Sequence, residues 1–185
     1  MNEKIERLKA LIEKQPNRKE TYFLLAENYF ELGEDQKAVE VLKVAIEIDA
    51  TFLSAYIKQG EVLLKQGKLE AAKDIFNETA KQLPNNINCL YAISNAYKNS
   101  NYYQEAIKNL KKILTFDGFN AKVYQDIGEM QLLLNDIKKA YLSFKKAYEL
   151  NPRELKALIN LAQAAYKQSF FEQAEELLLE GLKLD

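Results

Sequence analysis

The 185-residue chain has no histidine, no tryptophan and a single cysteine, Cys89. Each absence removes a class of chemistry. Without an imidazole, nothing activates Cys89 as a nucleophile, and a zinc site has almost no ligands to draw on. One cysteine excludes an internal disulfide. No run of about 18 apolar residues occurs, so no membrane-spanning helix is expected. There are only three prolines and six glycines, which suits a nearly all-helical chain because both residues interrupt helices. A glycine-rich phosphate loop is also missing. No enzyme activity, cofactor or metal is expected.

An excess of one charge is lacking as well. Residues 1–86 carry 13 basic and 15 acidic side chains, and residues 87–185 carry 13 and 12. Neither half has the basic surplus of a nucleic-acid binder. Charges are spread through residues 1–20, unlike a secretory signal, so a cytoplasmic protein without membrane insertion is expected.

A strict period is present. Ala38, Ala72, Ala106, Ala140 and Ala174 stand 34 residues apart, and a period of this size marks a stack of repeated supersecondary units. Counting each unit from Lys19, position 8 reads Ala26, Gly60, Ser94, Gly128 and Ala162, all small. Position 24 reads Leu42, Phe76, Leu110, Phe144 and Leu178, all large. Large residues facing small ones at constant offsets describe two closely packed helices. Position 15 reads Gly33, Gly67, Asn101, Asn135 and Ser169, where a turn is expected.

Within a unit the apolar spacing is helical. Tyr22, Leu25, Tyr29 and Leu32 recur at steps of three and four on one face, and Gly33 stops that helix. A second helix is expected over about 35–48. The pair recurs at about 53–66 and 69–83, 87–99 and 103–115, 121–134 and 137–149, and 155–168 and 171–184. Residues 2–14 add one more amphipathic helix. Residues 1–18 are thus expected to form an N-terminal capping helix. Five units follow over 19–185 (19–52, 53–86, 87–120, 121–154 and 155–185).

These columns resemble the tetratricopeptide repeat family. The match is Tyr22-x2-Leu25-Ala26-x2-Tyr29 followed by Ala38-x3-Leu42-x2-Ala45, repeated to the end of the chain. Departures are local, such as Gln59 at position 7, Thr79 and Ile113 at position 27, and Gln131 and Ala165 at position 11. The resemblance implies an all-α fold, a right-handed superhelix of about eleven antiparallel helices. First helices would line a concave groove that binds a protein segment. Carried over by register, the groove residues are Phe23, Glu27 and Phe30; Ile57, Lys58 and Glu61; Tyr91, Asn95 and Lys98; Lys122, Gln125 and Glu129; and Asn160 and Gln163. Leu24, Leu64, Leu132 and Leu133 also fall on ligand-facing positions, and packing between first helices accounts for them equally well. The tyrosines Tyr22, Tyr29, Tyr56, Tyr97 and Tyr124 lie in packing columns.

Relatives that hold the C-terminal carboxylate of heat-shock chaperones place lysines and asparagines at five set groove positions. Repeats one to three match none of them, repeats two to four match only Lys122, and repeats three to five match Asn95 and Lys156. Glu27, Glu61, Asp126 and Glu129 would repel such a carboxylate, so that ligand is excluded. The expected partner is an amphipathic helix or extended apolar segment carrying basic residues. The alternative is a scaffold that self-associates through its convex face or through its leucine-rich end, at Leu178 and Leu182, since a terminal repeat lacks the polar outer face that solubility requires.

Overall fold

The computed structural model describes residues 2–183. Among them are eleven helices and no strand. In chain order these are α1 (Asn2–Lys14), α2 (Lys19–Glu31), α3 (Asp35–Ile48), α4 (Leu53–Lys65), α5 (Leu69–Gln82) and α6 (Ile87–Asn99). They continue with α7 (Tyr103–Phe116), α8 (Ala121–Leu133), α9 (Ile137–Leu150), α10 (Leu155–Lys167) and α11 (Phe171–Gly181). The expected helix pairs are present. The last helix, expected to run to 184, ends at Gly181, and residue 184 lies outside the described residues. No described helix is long and apolar enough to cross a membrane.

The turn between paired helices has one chemistry. Gly33, Gly67, Asn101, Asn135 and Ser169 all take a positive φ, between 59° and 76°. That conformation turns the chain out of the helix, and glycine and asparagine tolerate it best. In four of the five turns the next residue donates its N–H five residues back. These bonds run from Glu34 to the Tyr29 carbonyl, Lys68 to Leu63, Asp136 to Gln131 and Phe170 to Ala165, at 2.8–3.0 Å. They satisfy carbonyls that a helix end otherwise leaves open. At the following starts, Asn86 accepts the Cys89 N–H, Asn120 the Val123 N–H and Asp136 the Lys139 N–H. Each closes one orphan donor.

The chain forms two compact units, Met1–Ser100 and Asn101–Asp185. The boundary falls inside the third 34-residue repeat. In the first unit α2 packs on α3 and α4 on α5, with α4 also meeting α3 and α6. Its core joins Leu25, Ala26, Ala38, Leu42 and Ala45 to Ala55 and Val62 of the next repeat. Helix α1 lays Ile5, Leu8 and Ile12 against the same core. In the second unit α8 packs on α9, α10 on both α9 and α11, and α7 on α8. There Phe144 and Ala140 cluster with Leu158, Leu161, Ala162 and Leu177.

The alanine column is buried at every copy. The facing columns are matched in size. A Cβ placed on Gly60 would lie 2.2 Å from the Phe76 ring, and one on Gly128 would lie 2.6 Å from the Phe144 ring. Where position 24 is phenylalanine, position 8 has no side chain. Where it is leucine, position 8 is alanine or serine. Phe76 and Phe144 each gain roughly 1.5–3 kcal/mol from full burial, and glycine makes the space for it.

Candidate functional site

First helices carry the expected binding residues, and the structure divides those residues into three kinds of surface. On α2, Glu20, Leu24, Glu27 and Glu31 recur at helical spacing as a stripe that is exposed or half-buried. Leu24 is among its exposed members, while Leu25, one residue on, is in the core. Phe23 is half-buried beside the stripe, its ring edge-on to Phe52 at 5.6 Å. No described residue forms an ion pair with Glu27 or Glu31. This face is apolar at its centre and acidic along its length.

On α4 the charges are already matched. Lys58 bonds Glu61 at 2.6 Å. Its ammonium also stands 5.2 Å from the centre of the Phe30 ring, and Lys65 stands 4.3 Å from it. Lys65 is further tied to Asp35 at 3.1 Å and to the Phe30 carbonyl at 3.3 Å. A hollow of ≈ 550 Å³ opens here, lined by Phe30, Lys58, Glu61, Leu64, Lys65, Asn99 and Ser100. Phe30, carried over by register as a groove residue, thus has two cations on its ring, each worth about 0.5–1 kcal/mol when exposed. Leu64 is buried and belongs to the packing, and Ile57 remains half-buried. On α6, Asn95 is exposed, with Tyr91 and Lys98 half-buried.

In the second unit Glu129 of α8 bonds Lys156 of α10 at 2.8 Å. This bond raises the lysine pKa above its usual value, with burial working against it. Lys122 and Gln163 are exposed. Gln125 differs from its expected place: it is 3% exposed, and its Nε2 has no hydrogen-bond partner. Asn160 is half-buried, and its Nδ2 is likewise unpartnered. Of the ambiguous leucines, Leu132 packs on the core and Leu133 is exposed.

Two features escaped the sequence reading. An aromatic group gathers at the α10–α11 turn, with Tyr141 edge-on to Phe170 at 5.7 Å and Tyr166 edge-on to Phe171 at 5.3 Å. Lys19, at the start of α2, pairs with Asp49, at the end of α3. The Lys19 ammonium, helped by the Thr51 hydroxyl and N–H, holds the Asp49 carboxyl down at about 2. The terminal leucines stand open: Leu178 is 50% exposed and Leu182 is 73% exposed.

Family models of the tetratricopeptide repeat match residues 19–52, 87–120 and 121–154, and a second such model matches 54–86. DnaJ homolog subfamily C member 3 of Homo sapiens is 26% identical over 95% of this chain and 38% of its own length. Protein CTR9 homolog of Arabidopsis thaliana is 24% identical over 90% of this chain and 16% of its own. The chain thus spans well under half the length of these relatives. Among solved structures, YrrB, described as a TPR protein with an unusual peptide-binding site, superposes with a TM-score of 0.58. It is 18% identical and covers 98% of this chain and 93% of its own. A MamA structure from RS-1 gives 0.61 at 18% identity, over 90% and 93%. The chain belongs to the tetratricopeptide repeat family, a family of protein–protein interaction modules.

Proposed function

We propose that the exposed faces of the first helices bind a segment of another protein, and that the α2 face takes an amphipathic helix with basic residues. One observation carries this reading. Glu27 and Glu31 lie beside Leu24 and Phe23 without an ion-pair partner among the described residues, whereas Glu61 and Glu129 are already neutralised by Lys58 and Lys156. An apolar strip edged by unmatched carboxylates complements leucines edged by lysines or arginines. The peptide-binding site named for the YrrB structure supports the same use of this fold. A cytoplasmic setting is part of the reading, since a lone thiol such as Cys89 needs no oxidising compartment.

The test uses two labelled amphipathic helices, one of leucine and lysine and one of leucine and glutamate, followed by fluorescence anisotropy. The lysine peptide is expected to bind, and Glu27→Gln with Glu31→Gln to weaken it about tenfold, with unchanged circular dichroism. Equal or tighter binding of the glutamate peptide would overturn the charge assignment. Gln125 is a poor probe of the α8 face because it is buried.

A further inference from the structure

Second helices fold alike along the chain but differ in charge. Helix α3 sets Lys37 and Lys43 against Asp35, Glu40 and Glu47, and α5 sets Lys73 and Lys81 against Glu70, Asp74 and Glu78. Helix α11 carries Glu172, Glu175, Glu176 and Glu180 and no basic residue. In α7 and α9 the balance reverses. Helix α7 has Lys108, Lys111 and Lys112 against Glu105, and α9 has Lys138, Lys139, Lys145 and Lys146 against Glu149. All seven of these lysines are exposed.

The register shows that the fold does not require them. Position 22 reads Glu40, Asp74, Lys108, Leu142 and Glu176, and position 26 reads Val44, Glu78, Lys112, Lys146 and Glu180. Other repeats pack equally well with carboxylates at these places. Lys139 pairs with Asp136 and Lys146 with Glu149. Lys108, Lys111, Lys112, Lys138 and Lys145 have no ion-pair partner among the described residues. Like charges gathered this way on one unit raise the local concentration of anions.

An apolar hollow lies among them. Leu114 of α7, Tyr124 and Ile127 of α8 and Leu142 of α9 line a space of ≈ 210 Å³ together with Lys111 and Lys139. It is bounded by three consecutive helices, with α10 and α11 still to follow in the chain. Leu142 is 57% exposed, at the position where three other repeats carry an acidic residue. An exposed leucine set among lysines suits a ligand that brings both apolar surface and negative charge.

We propose that this face of α7, α8 and α9 binds an acidic segment of another protein. One large apolar side chain of that segment enters the hollow, and carboxylates on either side of it meet the unpaired lysines. An anionic bilayer or a nucleic-acid backbone supplies charge but no side chain to fill a hollow between helices. The face shares no residue with the acidic α2 surface and selects the opposite charge.

Fluorescence anisotropy of the full chain tests the proposal with two short labelled peptides of aspartate and glutamate, one with a central phenylalanine and one with alanine there. The phenylalanine peptide is expected to bind, and the alanine peptide to bind at least fivefold more weakly. Lys108→Glu with Lys112→Glu should weaken the phenylalanine peptide about tenfold with unchanged circular dichroism, because other repeats hold carboxylates at both positions. Leu142→Ala should weaken that peptide and leave the alanine one unaffected. Lys43→Glu, on the second helix of the first repeat, should change nothing. A leucine–glutamate helix is also a ligand for this face, so the charge comparison at α2 is made in the Lys108→Glu, Lys112→Glu protein, which separates the two readings. Absence of binding, equal binding of the two peptides, or indifference to the lysine variants overturns the proposal. Phosphatidylserine vesicles or an oligonucleotide binding more tightly through the same lysines also overturn it, because the face then reads charge alone.

Discussion

Gly60 and Phe76 form a pair in which neither residue is replaceable alone. A methyl at Gly60 would sit 2.2 Å from the ring, far inside contact distance, and Phe76 is itself buried. Gly60→Ala is expected to destabilise the protein by about 1–3 kcal/mol through overpacking. Pairing it with Phe76→Leu should recover most of that loss, because Ala26 with Leu42 is the same combination in the first repeat. Chemical denaturation of the two single variants and the double variant measures the coupling. No recovery in the double variant would show that the glycine serves the backbone rather than the ring. Both columns are visible in the sequence as small and large. The size matching within each repeat becomes a contact only once the ring is placed.

At the scale of elements, the turn residue between paired helices decides how cheaply a hairpin closes. Ser169 holds φ at 66° with neither the freedom of glycine nor the amide of asparagine. Ser169→Gly is expected to stabilise the last pair, and with it the melting transition, by roughly 1 kcal/mol, since a left-handed conformation costs a side-chain-bearing residue about that much. Calorimetry checks the direction, and a lower melting temperature would contradict it. The helices themselves were legible because period and amphipathic spacing are local properties of the chain. The binding faces were less so. Phe30 reads as apolar until Lys58 and Lys65, some 30 residues on, are brought over its ring. Gln125 reads as a surface amide, yet its position along α8 is buried. Such outcomes depend on which neighbour arrives, and spacing within one helix does not contain that. The proposed capping role of α1 rests on Ile5, Leu8 and Ile12, which pack on the core of the first repeat.

For the molecule as a whole, the absence of histidine removes the side chain that ordinarily titrates between about pH 5 and 8. Stability is therefore expected to stay level across that range and to change first in acid. The Asp49 carboxyl, at about 2 in the folded protein, lies below its ordinary value near 3.8. Its contribution is complete above the unfolded value and disappears as pH falls through the folded one. Comparison of melting temperatures for the wild type and Asp49→Asn should show a gap near neutrality that closes between about pH 4 and pH 2. A gap unchanged at pH 2 would mean that Asp49 contributes through something other than its charge. The pair is half-buried at the surface, so added salt should narrow the gap only in part.

Gly60 and Phe76, like Gly128 and Phe144, belong to the same 34-residue repeat rather than to neighbours. The consequence concerns inheritance more than packing. When a stretch of gene encoding one such repeat is copied, deleted or moved, a ring and the space reserved for it travel together. No second change elsewhere is needed to keep the new copy foldable. An array built this way can lengthen or shorten by whole repeats, and designers could recombine its leucine-type and phenylalanine-type repeats as interchangeable cassettes.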